Sequence, residues 1–283
     1  MRESISFVLF PEPSISGRSD ELRVGDYGKA IARWPQFQNP NGLGFRVEAE
    51  RNSPVLHDIL QFLKECGKEP YLKRCPPRDM EDASHFGIQC KRIFEEKDIN
   101  TVKLLVCSPR HLIASAGRHM TDGTLCVARA KILKRSFGRV LISGIPSCTD
   151  KLKNEISSQD FNGLSYRPII VDGKLPPMEQ LWEVWSDVKL PPMENRLIDE
   201  KGEDFHPTES KSCVLEDLCF PPQLCFKEES VKVLGNVDVA VTHEHLGWGP
   251  RHTREPFLIV SQRFRRWCES RKLKTDWWPV TLI

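Results

Sequence analysis

Apolar positions recur at helical spacing over residues 54–66, where Val55, Ile59, Leu60, Phe62, Leu63 and Cys66 form one broad face. Ser53 is placed to cap this helix, Pro54 suits its first position and Gly67 stops it. Upstream, residues 11–45 are rich in Gly, Pro, Asn and Ser around the isolated aromatics Trp34, Phe37 and Phe45, a pattern of irregular chain with one or two short strands. A short helix is expected over 77–85 with Met80 and Ala83 inward. Ile88, Cys90 and Phe94 then alternate as a strand would across 87–95. Further strands are expected at 101–107, 125–133, 139–143 and 164–171, with a helix at 149–157. Towards the C-terminus, 257–260 reads as strand, and Ser261 caps a helix whose inner face is Phe264, Trp267 and Cys268. Residues 277–283 read as a closing strand. The order predicts an α+β protein with a mixed sheet built from strand-helix units, in an N-terminal half, 1–135, and a C-terminal half, 136–283.

One hexapeptide, Lys-Leu-Pro-Pro-Met-Glu, occurs at 174–179 and again at 189–194, flanking Leu181-Trp182-Glu183-Val184-Trp185. Pro-Pro favours the extended polyproline conformation that recognition domains bind. The same pair also suits two extended connectors framing a strand, and the two tryptophans between them favour burial.

Composition narrows the function. The chain has 283 residues, enough for one or two domains with a real core. Its 41 basic and 39 acidic residues leave a formal charge of +2, which argues against a protein whose whole surface coats a polyanion. The apolar stretch Phe7 to Phe10 is shorter than a secretory h-region, and no run reaches the ~18 apolar residues of a membrane helix. The reading is a soluble, cytoplasmic protein with no membrane association. The ten cysteines are then expected to stay reduced, as metal ligands, reactive thiols or small apolar side chains. No two are closer than six positions, so no Cys-x-x-Cys knuckle is present.

Two groups carry candidate chemistry. Cys107 and His111, in Cys-Ser-Pro-Arg-His, with His119 and Cys126 supply two thiolates and two imidazoles, ligand types that tetrahedral zinc accepts, which predicts one structural zinc. The competing reading is two buried strand cysteines with the histidines on the loop between. The second group is Asp238-Val-Ala-Val-Thr-His-Glu-His245. On a strand, His243 and His245 would face one side and could share a metal with a distant carboxylate, as in a metal-dependent hydrolase. A turn bearing surface histidines is the alternative. His-Glu-x-x-His, a nucleophile elbow and a phosphate loop are all absent from the sequence. Cys213, Cys219 and Cys225 have apolar neighbours that favour packing. Residues 194–217 hold eight acidic and three basic side chains, whereas 251–274 hold eight basic and two acidic. Arg263, Arg265 and Arg266 interleave with Phe264 and Trp267, either as a nucleic-acid contact or as the solvated face of an amphipathic helix. The acidic strip suits docking to a basic protein partner.

The strand, Ser, helix, Leu and aromatic-Pro-Val succession over Leu258 to Val280 resembles the C-terminal signature of bacterial cytoplasmic immunity-type proteins, including the double-CxxCG-motif family. Cys107 to His111 falls where that family carries its second Cys-Pro-x-Cys-Gly knuckle, with histidine in place of the second cysteine and no glycine. The other knuckle is missing. The resemblance runs loosely over 74–283 and is specific in the last 25 residues. It implies a degenerate zinc-ribbon-like hairpin and a non-enzymatic protein that neutralises a toxin partner, such as a basic toxin domain, by stoichiometric binding. The alternatives from other classes are the His243/His245 hydrolase and nucleic-acid binding through the basic C-terminal helix.

Overall fold

The structure is a computed structural model and describes residues 2–9, 29–30, 32–37, 45–50, 53–65, 86–141, 143–172, 180–195, 197–198, 212–215, 219–246 and 255–283. Contacts divide the chain into one unit of residues 1–94 with 216–222 and another of 95–215 with 223–283. The expected boundary near Arg135 therefore falls inside the second unit. The reason is a non-local pairing, Leu112–Ala114 running parallel to Phe137–Val140 across that boundary.

In the first unit, β1 (Arg2–Leu9) lies between β2 (Phe45–Glu50) and β3 (Phe86–Ile93), antiparallel to both, and β14 (Cys219–Phe220) adds a parallel edge to β3. Helix α1 (Pro54–Glu65) follows the expected periodicity, burying Ile59 and Phe62. The Phe62 ring meets Trp34 edge-on at 5.2 Å. Trp34 donates its indole N–H to Asp58 at 2.9 Å, and Arg33 bridges Asp58 and Glu65. The expected helix at 77–85 lies outside the described residues.

The second unit contains three sheets, all of them mixed. One has five strands in the order β15 (Leu224–Phe226), β19 (Thr275–Leu282), β4 (Leu104–Pro109), β18 (Leu258–Ser261), β16 (Val239–Val241). All neighbours are antiparallel except β15 and β19. Helix α2 (Glu96–Thr101) precedes β4, α4 (Glu228–Lys232) follows β15, and α5 (Gln262–Ser270) follows β18. Ser261 caps α5 as expected, accepting from the Phe264 N–H at 3.3 Å, which is worth ~1 kcal/mol. A small sheet joins β12 (Leu197–Ile198), β13 (Ser212–Leu215) and β17 (His245–Leu246).

The third sheet has seven strands in the order β5 (Leu112–Ala114), β8 (Phe137–Val140), β9 (Pro146–Thr149), β11 (Leu181–Trp185), β10 (Ser165–Asp172), β7 (Leu125–Ala128), β6 (Arg118–His119). Its first and last strands are separated by only three residues, 115–117. Four Cα–Cα steps span at most ~15 Å, whereas the outer strands of a flat seven-stranded sheet lie ~29 Å apart. The sheet must therefore curl until its edges approach. The link packs accordingly: a Cβ on Gly117 would meet Val140 Cγ1 of β8 at 2.8 Å and the Cys126 carbonyl of β7 at 3.1 Å. Ile113, Ala114, Leu125, Val127, Val140, Ile169 and Leu181 fill the interior of the curl.

The outer side of the same sheet contributes Phe137, Cys148 and Val184 to a second core. They pack with α3 (Asp150–Ser157) through Leu152 and Ile156, and with Leu105, Cys107, Val239, Val241, Leu258, Val260, Phe264, Cys268 and Trp277. The chain is thus an α+β protein with mixed sheets. The second KLPPME copy is a connector: Leu190 and Met193 are buried, and the Leu190 N–H donates to Val241 O at 2.8 Å. The first copy, at 174–179, lies outside the described residues. No helix among the described residues is long and apolar enough to cross a membrane.

Candidate functional site

The four proposed zinc ligands are not brought together. Cys107 sits mid-strand in β4, opposite Trp277, with its side chain in the larger core. Burial pushes its thiol well up, and the neighbouring Cys268 adds to this, so the thiolate that zinc requires is disfavoured. Cys126 and His119 lie on the hairpin of β6 and β7, but Arg118 is the partner of Cys126 and His119 that of Leu125. Adjacent strand residues point to opposite faces, so His119 turns into the curl and Cys126 away from it. His111 lies on the turn after β4. Among the described residues no three His, Cys, Asp or Glu side chains are grouped to hold a metal ion.

The His243/His245 pair departs from the strand pattern for a different reason. β16 ends at Val241, and Thr242 turns the chain, its hydroxyl donating to Glu244 O at 2.7 Å and accepting the Phe257 N–H at 3.0 Å. His243 falls in the bend and His245 begins β17. Between them Glu244 is the buried side chain, its Oε1 accepting the Met193 N–H at 2.8 Å.

Two of the arginines of α5 are occupied within the fold. Arg263 pairs with Asp238 at 2.8 Å and stacks on Phe161 at 4.9 Å. Arg265 is buried and bridges Glu96, Asn100 and Glu269, while Arg263, in its ion pair, and Arg266 are both exposed. A groove of about 550 Å³ beside α5 is lined by Lys103, Asn162, Asp238, Gln262 and Arg263, but Lys103 is paired with Glu228 and Arg263 with Asp238. The acidic strip 194–217 lies largely outside the described residues.

The polar cluster with unmet chemistry is at the mouth of the curled sheet. On β11, Leu181 and Glu183 share the inward face with Ile169 and Arg167 of β10. Glu183 is 1% exposed. Its Oε2 accepts from Arg167 Nε at 3.0 Å and Nη2 at 2.8 Å, and the Arg167 guanidinium stacks on Trp185 at 3.6 Å. Glu255 is held by the 143–144 loop, its Oε2 accepting the Ser143 hydroxyl at 2.7 Å and the Gly144 N–H at 2.9 Å. His119 Nε2 approaches Glu255 Oε1 at 3.2 Å, without hydrogen-bond alignment. Its Nδ1 lies 3.3 Å from the Gly123 carbonyl. Each carboxylate is thus anchored through one oxygen. The other, Glu183 Oε1 and Glu255 Oε1, is buried without a hydrogen-bond partner, as is His119 Nε2.

The electrostatics follow from this crowding. Burial raises the Glu183 carboxyl above its ordinary value; Arg167 opposes the shift and Glu255 adds to it. Glu255 raises the His119 imidazole, partial burial opposes, and the Gly123 carbonyl and Glu183 reinforce. Both groups bind protons more readily folded than unfolded. Folding stability from them is therefore present at low pH and lost as pH rises, through the window above about 4.5 for Glu183 and above about 6.5 for His119. Glu183→Gln keeps an acceptor for Arg167 and removes the first of these contributions. Urea unfolding between pH 4.5 and 8 should show a shallower loss of stability for the variant than for the parent. Parallel curves would mean that Glu183 ionises in the fold as it does in water.

Of this cluster, the sequence pattern pointed only to His119, and for a different chemistry. Glu183 carried a signal, a lone charge between Leu181 and Trp185 on the inward face of an apolar strand. Glu255 and Ser143 carried none, because they meet His119 through folding alone. No protein-family model matches the chain, and neither does any curated protein.

Proposed function

We propose that this chain is a non-enzymatic, cytoplasmic binding protein of the immunity kind, engaging one protein partner, a basic toxin domain, in a stoichiometric complex. The observation that carries the reading is an exposed apolar surface on ordered strands. Ile170, 46% exposed, lies with exposed Pro168 and Ala128 on the outer face of β10 and β7, beside the exposed pair Arg118 and Asp172 at 3.8 Å, and Met120, 39% exposed, follows β6. An exposed large apolar side chain rimmed by charged ones on an ordered sheet face suits an interaction surface. The C-terminal resemblance to immunity-type proteins supports the same reading.

The test is co-expression with toxin domains encoded beside its gene. One of them should cease to be lethal and co-purify in a one-to-one complex. Ile170→Asp should weaken that complex at least tenfold, since a charge would be buried in the apolar interface, while the melting temperature stays within about 2 °C. Failure to neutralise any adjacent toxin, or full protection by Ile170→Asp, would count against the reading.

A further inference from the structure

No acidic residue occurs from Gly123 to Thr149, whereas five basic ones do: Arg129, Lys131, Lys134, Arg135 and Arg139. Four arginines elsewhere in the second unit, Arg110, Arg167, Arg263 and Arg265, each pair with a carboxylate. By contrast, Lys131, Lys134, Arg135 and Arg139 have no acidic partner among the described residues. Like charges held close together repel, and the fold supplies nothing here to offset that repulsion.

Backbone pairing sets these charges on one face. Ile132 bridges Ala114 and packs into the curl, with the Ser115 N–H donating to Lys131 O and the Leu133 N–H to Ile113 O, both at 2.8 Å. Lys131 and Leu133, on either side of Ile132, are exposed, as are Lys134 and Arg135 after them. Across β5, Arg139 stands opposite Leu112. Its neighbour Val140 faces into the curl, so Arg139 and the exposed Leu141 point outward. Chain segments on the two sides of one strand lie ~10 Å apart, so the cations form two rows. The grooves of a nucleic-acid duplex separate its phosphate rows by ~6–12 Å.

We propose that this face binds the phosphate backbone of double-stranded nucleic acid. A duplex carries about one negative charge per 1.7 Å of its axis, and neutralising phosphates releases condensed counterions. The sparser carboxylates of an acidic protein surface give no such release. Phe137, the one aromatic residue of 129–141, is buried, so single-stranded bases find no stacking platform. The contact is to the backbone and carries no sequence preference. Leu133 and Leu141, 38% and 53% exposed, are apolar side chains of the kind that minor-groove proteins place among basic ones. This nucleic-acid contact is independent of the toxin complex proposed above.

The experiment titrates the full chain into labelled DNA and RNA duplexes of about 20 base pairs, followed by fluorescence anisotropy at increasing salt. Four phosphate contacts give a slope of log affinity against log salt of about −3.6, a loss of ~100-fold between about 50 and 200 mM. Replacing two of them, Lys134→Gln with Arg135→Gln, should bring the slope to about −1.8 and weaken binding at least about tenfold at low salt. Both side chains are exposed, so the melting temperature should not move. Arg266→Gln, on the exposed side of α5, should change the affinity by less than about twofold. DNA duplexes of unrelated sequence should bind equally, and the tighter of DNA and RNA names the duplex. Absence of binding at low salt, or a slope unmoved by the double variant, would overturn the site. So would poly-glutamate competing as well as the duplex, which would make the partner an acidic protein.

Discussion

Phe264→Ala should lower the stability of the second unit by about 3–5 kcal/mol, the usual cost of truncating a fully buried phenylalanine. For a unit of this size that is a fall in melting temperature of roughly 10 °C or more. Phe264 is 0% exposed and lies where α5 meets both sheets. Its ring contacts Phe161 at 5.0 Å between centroids and Trp267 at 6.4 Å. These neighbours belong to β-strand connections and to α5 itself, so the space left by the ring cannot be refilled by a single side-chain rotation. Phe264→Leu keeps most of the volume and should cost less than half as much. The measurement is urea unfolding followed by tryptophan fluorescence, with an unchanged slope and a shifted midpoint. A loss below about 1 kcal/mol for the alanine variant would show that α5 is not seated in this core.

Gly163→Ala should be of similar size, about 3 kcal/mol or more, from two separable causes. Gly163 has φ +84°, which any side chain disfavours, and a Cβ there would lie 2.3 Å from the backbone carbonyl of Val239. That carbonyl cannot swing aside. Val239 donates its own N–H to Asn162 O at 3.0 Å, and the Ser186 hydroxyl sits between Gly163 O at 2.5 Å and Val239 O at 2.9 Å. The close approach fixes the turn between α3 and β10 against the start of β16, and so sets the strand that carries Arg167. Gly235 provides the control, with φ +68° and open space for 4 Å around the point where a Cβ would stand. Gly235→Ala should therefore cost only the conformational part, ~1 kcal/mol. Equal effects at the two glycines, measured by calorimetry, would show that the contact with Val239 is not the cause.

Local pattern made much of this fold legible. The faces of α1 and α5, the Ser261 cap, and strands β3, β10, β18 and β19 all lie where the local pattern places them. The expected strand at 101–107 became two elements. Asp98 and Glu95 form a reciprocal capping box that starts α2, and only from Leu104 does the chain extend. The expected strand at 125–133 stops at Ala128, where a short 3-10 turn over Arg129–Lys131 brings Ile132 beside Ala114 and closes the curl.

The candidate site divides along the same line. Residue type and spacing determined by themselves that this is an α+β chain, and they singled out His119, though as a zinc ligand. Tertiary structure alone decided which groups meet. Cys107 and Cys126, nineteen positions apart, belong to different sheets, whereas Glu255 meets His119 at 3.2 Å from about 136 positions further along the chain. Periodicity reports which side of an element is buried, a property of neighbouring residues. Closing a seven-stranded sheet on itself depends on pairings across long stretches of chain, and those pairings place the carboxylates at its mouth.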